Sequence, residues 1–125
     1  MLSAVAAISG LYDLFAGALL LFGAGYIPSV TGLAPPNPPL FAHLNALFLL
    51  AVGAGYYLPW REPDRYRGYL WVMGPGLKGA GAGLFVFEYF RLAAPPSVLL
   101  FAASDALVAG LTLVALMRTP AAGIR

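Results

Sequence analysis

The chain has 125 residues, 61% hydrophobic and only 10% charged, so it has too little polar surface to cover a soluble globule of its size and belongs in a membrane. Its net charge of +2 does not point to nucleic acid, because the basic residues flank apolar runs and build no amphipathic or aromatic-interleaved face. The lack of cysteine excludes a disulfide scaffold, thiolate metal ligands and thiol catalysis.

Four apolar runs, near residues 2–26, 38–58, 68–90 and 96–117, reach the roughly 20 residues a helix needs to cross hydrocarbon. The expected fold is all-α, a single integral membrane domain over 1–125 built as a four-transmembrane-helix antiparallel bundle. No basic segment precedes the first run and Asp13 interrupts it, which argues against a removable signal peptide. Tyr26-Ile27-Pro28 closes it, "APPNPPL" follows, and Asn37 before Pro38 reads as an N-cap with proline in the first turn of the second helix. "LPWREPDRYRG" joins the second and third runs, "RLAAPPS" joins the third and fourth, and Thr119-Pro120 follows the last. In the third run Pro75 removes a backbone donor one turn before Lys78, which predicts a kink. Gly79 and Gly83 form a GxxxG step, predicted to admit a neighbouring backbone.

Two apparent motifs are set aside. "GPGLKG" at 74–79 matches GxGxxG formally but has no strand-turn-helix context, so it is not a nucleotide loop. "FGAGYIP" at 22–28 resembles "VGAGYYLP" at 52–59; an inverted repeat is conceivable, but every helix exit uses small residues, an interfacial Tyr and a helix-ending Pro.

Arg61, Arg65 and Arg67 fall on the same side as both termini with Arg118 and Arg125, whereas the other side offers only Arg91. The bias of basic residues towards the cytoplasm therefore places both termini there, in a multi-pass protein of the cell inner (cytoplasmic) membrane. Tyr26, Tyr56, Tyr69 and Tyr89 lie near expected span ends, as an aromatic belt requires.

Three ionisable residues converge on the midplane. Asp13, Lys78 and Asp105 lie eleven, ten and nine residues into their runs, about 14–16 Å deep at the helical rise. Each alone costs about 2.5–3.5 kcal/mol at a helix centre, so one cluster is a better arrangement than three separate penalties. Two carboxylates and one ammonium leave one negative charge, which a proton or a cationic or hydrogen-bonding ligand would balance. The cluster serves either function or helix register. Nearer the opposite face, His43, Asn45 and Glu88 are placed to line the mouth of a cavity leading to Lys78, although an i,i+3 pair of Glu88 with Arg91 explains Glu88 as well. A single His is a poor metal site and a better hydrogen-bonding or quinone-contacting group, so no metal is expected.

The same residues carry a family resemblance. "LYDLFAG", "GYYLPWREPDRYR", "GLKGAGAG" and "SDALVAGL" resemble the DoxX-like family of small four-helix integral membrane proteins, over nearly the whole chain. That resemblance implies the fold and an association with quinone-linked oxidoreductase complexes, or, in the broader group, with membrane chaperones and cargo receptors. No HExxH or GxSxG is present and there is one His, so an autonomous enzyme is not expected. Three readings follow. The chain is an accessory subunit whose Asp13, Lys78, Asp105, His43, Asn45 and Glu88 bind a quinone, a lipid or another apolar ligand; or it is a proton- or ion-coupled carrier; or it is a structural or chaperone module. Membrane lipid and a larger membrane complex or homo-oligomer are the expected partners.

Overall fold

The computed structural model describes residues 1–23, 25–33 and 39–121. Its elements are α1 (Leu2–Phe22), a short α2 (Ile27–Thr31), α3 (Leu40–Gly55), α4 (Tyr57–Arg61), α5 (Arg67–Trp71), a π-helical segment over Val72–Lys78, α6 (Gly79–Arg91) and α7 (Val98–Arg118), with no strand among the described residues. Joined end to end where they are continuous, they give four helices long and apolar enough to cross a membrane: Leu2–Phe22, Leu40–Arg61, Arg67–Arg91 and Val98–Arg118. At the helical rise these are about 31–38 Å long, enough for a hydrocarbon core of about 30 Å.

The first helix stops at Phe22, short of the expected Tyr26, because glycines at 23 and 25 are poor helix residues. Pro28 then starts α2, where a missing N–H is harmless, and Gly32 ends it in the left-handed conformation at φ 74°. The second helix instead runs beyond the expected Leu58, through Pro59 to Arg61, since Pro59 falls in the first turn of α4. The Asn37–Pro38 cap lies outside the described residues.

Contacts across the bundle make neighbouring helices antiparallel. On the α1–α3 seam, a Cβ on Gly53 would lie 2.8 Å from Leu14 N, one on Gly10 2.9 Å from Tyr56 Cβ, and one on Gly17 2.9 Å from Leu50 Cγ. Small residues therefore let these two backbones approach. The close approach expected at Gly79 and Gly83 is not found: a Cβ at either meets nothing within 4 Å. α7 packs against α1 and along α5, the π segment and α6.

The two ends of the bundle differ. At the end where α1 begins and α7 stops, Leu2, Val5, Ala6, Val52, Tyr56, Leu70, Ala115 and Leu116 form one apolar cluster. Tyr56 and Tyr69 meet there edge to face at 5.0 Å, and Arg67 Nη2 donates to the Leu116 carbonyl, one of the last four of α7. Towards the other end, the buried positions of the four long helices are Gly17, Ala42, Ala46, Ala82, Ala102 and Val98. The largest fully buried side chains, among them Tyr56, Leu70, Leu116 and Thr112, all lie in the half nearer the termini. One end is thus filled by large side chains and the other is lined by small ones. At the second end, Ser97 Oγ donates to the Thr31 carbonyl and ties α2 to the start of α7.

Pro75 has its effect through the π segment. Proline cannot donate to the carbonyl four residues back and its ring collides with it, and widening the turn to an i→i+5 pattern accommodates both. Where the sequence leads to the expectation of a kink, the structure has seven residues of π-helix ending on Lys78. Gly74 within it packs on α7, where a Cβ would lie 2.7 Å from Thr112 Cγ2.

Candidate functional site

Asp13 occupies the buried stripe of α1 with Ser9, Gly10 and Gly17, and Lys78 is the last residue of the π segment. Their side chains meet across the bundle, with Lys78 Nζ donating to Asp13 Oδ2 at 2.7 Å and both side chains no more than 4% exposed. The ammonium also lies 5.2 Å from the Tyr56 ring centre and 5.8 Å from that of Tyr12, so two aromatic rings attract it. The pair is electrically neutral and enclosed.

Asp105 is separate from it. Its Oδ1 accepts a hydrogen bond from Tyr12 Oη at 2.7 Å, and Ser104 Oγ lies 2.7 Å from the same phenol oxygen. Tyr12 has one proton, which it gives to Asp105, so Ser104 is the donor to Tyr12. Asp105, Tyr12 and Ser104 are all half-buried. The second carboxylate oxygen faces Gly81, where a Cβ would lie 3.3 Å from Oδ2. One turn further along each helix, Phe85 and Phe101 pack at 5.7 Å between ring centres. The three midplane charges expected as a single cluster are an ion pair plus a carboxylate, linked through Tyr12, which donates to Asp105 and lies with its ring 5.8 Å from Lys78 Nζ. Among the described residues, no cation pairs with Asp105.

The remaining residues singled out in the sequence lie elsewhere. His43 and Asn45 are exposed on α3, off the face formed by Ala42, Ala46 and Gly53 that packs inward. Glu88 is half-buried on α6, with its backbone carbonyl accepting from Leu92 N and Ala94 N. Among the described residues the ion pairs are Asp13–Lys78 and the exposed Glu62–Arg65, and the suggested Glu88–Arg91 pair is not one of them. No group of three or more potential metal ligands occurs among the described residues.

Sequence reasoning missed Tyr12, Ser104, Tyr56 and Gly81. Tyr12 and Ser104 immediately precede Asp13 and Asp105, and that adjacency is the signal that points to them. Tyr56, expected in the interfacial belt, is 1% exposed beneath Lys78, whereas Tyr26 in the similar segment is 76% exposed, so the two segments are not equivalent. Beside the ion pair, Ser9 Oγ and Tyr56 Oη are buried without a hydrogen-bond partner among the described residues. A separate groove of about 580 Å³, lined by Phe48, Trp71, Val72, Met73, Gly76, Leu77 and Ala80, has no charged side chain as an anchor.

No family model, curated protein or solved structure matches the chain. The chemistry of its site rests on its own geometry.

Proposed function

We propose that this chain is a small multi-pass protein of the cytoplasmic membrane, with both termini in the cytoplasm, that holds an apolar molecule by its polar head. The head sits at Asp105, and the tail lies among the small and aromatic side chains of the end away from the termini. The observation that supports this reading is Asp105 itself: a half-buried carboxylate deep in an apolar helix, oriented by Tyr12 and answered by no cation among the described residues. Such a group costs about 2.5–3.5 kcal/mol at a helix centre, part of which a bound head group offsets. The enclosed Asp13–Lys78 pair braces α1 against the π segment, so its role in the proposal is to hold Tyr12 in place.

The apolar cluster of Leu2, Val5, Leu70 and Leu116 closes the polar interior on the cytoplasmic side, which favours a binding site open at one end over a proton relay across the membrane. The DoxX-like resemblance supplies the setting, an accessory subunit of a larger, quinone-linked complex, with a quinone, quinol or lipid as the first ligands to test. Native mass spectrometry of the protein released from nanodiscs is the direct test. A small-molecule adduct on wild type that is lost in Asp105→Asn is the expected result. A wild-type protein that carries no adduct and is not stabilised by a quinone, a quinol or added lipid would overturn the proposal.

A further inference from the structure

We infer that the head group held at Asp105 is cationic, so that the ligand is a lipophilic amine. This rests on the binding reading above and follows from counting donors, acceptors and charges around the site. A carboxylate only accepts hydrogen bonds. The phenol proton of Tyr12 is already given to Asp105 Oδ1, and the Ser104 proton is given to Tyr12 Oη, with the Phe101 carbonyl as a second acceptor at 3.0 Å. With Asp105 ionised, no side-chain donor among these groups is left for a quinone carbonyl, and a fatty-acid carboxylate would meet a like charge. Lys78, which would otherwise serve either of them, is committed to Asp13 at 2.7 Å.

An ammonium head fits on both counts, supplying donors and a positive charge. The surroundings favour it further, since Tyr12, Phe85 and Phe101 place aromatic rings around and beyond the carboxylate. Gly81 is the specificity-determining position, because its missing side chain leaves Oδ2 uncovered. A branched side chain there would stand over that oxygen and, with its Cβ at 3.3 Å, would also push the carboxylate aside by a few tenths of an ångström.

The test uses the full chain in nanodiscs of zwitterionic lipid, titrated calorimetrically with dodecylamine, dodecanol and a short-chain quinone. Dodecylamine is expected to bind saturably and at least about tenfold more tightly than either neutral probe, and Asp105→Asn and Gly81→Val are each expected to weaken it by about tenfold or more. Equal or tighter binding of dodecanol or the quinone, or amine binding indifferent to Asp105→Asn, overturns the cationic head while leaving the binding reading standing. Failure of all three probes to bind wild type saturably overturns the cationic head, and the adduct measurement on wild type then decides the binding reading. Should either variant melt far below wild type, the ranking of the three probes on wild type decides the matter alone.

Discussion

Lys78→Met is the sharpest perturbation of the interior, because it removes one half of a pair that is no more than 4% exposed and leaves the other half in place. At 2.7 Å the gross attraction of two unit charges is about 6 kcal/mol at an effective dielectric constant near 20. Desolvation of both ions offsets most of it, so the intact pair adds little net stability. The single mutant is another matter: Asp13 keeps its desolvation cost and loses its partner, a loss of about 3–5 kcal/mol. Lys78 also faces the rings of Tyr56 and Tyr12, but methionine keeps much of that contact. Replacing both residues, as Asp13→Leu with Lys78→Met, removes both charges and is expected to fall within about 2 kcal/mol of wild type, or above it. Reversible unfolding in mixed micelles, or steric trapping in bilayers, gives the four stabilities of the cycle. Each single loss of about 3–5 kcal/mol against a double loss of at most about 2 kcal/mol implies a coupling energy of at least about 4 kcal/mol, and additivity within about 0.5 kcal/mol would refute the argument.

Three further outcomes are expected. Gly10→Ala and Gly53→Ala should each destabilise by about 1–3 kcal/mol, because the new methyl meets backbone or Cβ atoms at 2.8–2.9 Å, whereas Gly79→Ala and Gly83→Ala should be neutral or slightly stabilising in the same unfolding assay. Ala93 holds φ at 56° after the end of α6, so Ala93→Gly should raise stability by about 1 kcal/mol; a loss would mean that the residue packs or bonds in a way its backbone angle does not suggest. Because the chain has no cysteine, single cysteines can be introduced at Glu62 and Ala93. An impermeant thiol reagent should reach the first from the cytoplasm and the second from the opposite side, and the reverse pattern would invert the topology.

That Asp13, Lys78 and Asp105 lie at one depth is legible in the sequence, since depth along a helix is a one-dimensional quantity that residue counting supplies. The separate placement of Asp105 is not. Counting gives depth but not the direction in which a side chain leaves its helix, and the π segment changes that direction for every residue after Pro75. Tyr56 departs from its expected place for a related reason. Its position near a span end suggests the interface, but the helix continues through Pro59 to Arg61 and leaves the tyrosine under Lys78. The glycines show the same limit, because Gly79 and Gly83 have the GxxxG spacing without a neighbour, while Gly10 and Gly53 meet across two helices far apart in the chain.

By itself the sequence determined that the chain is helical and membrane-like, how many spans it has, and which charges lie deep, because these depend on apolar length, on proline and glycine punctuation and on distance along a helix. Tertiary structure alone decided that Asp13 takes the ammonium and Asp105 the phenol, that one end is filled and the other lined by small residues, and that His43 and Asn45 face outward. The physical reason is rotational. Which face of a helix meets which neighbour is set by packing between segments remote in sequence and by the widened turn at Pro75, and neither is encoded in the spacing within a single run.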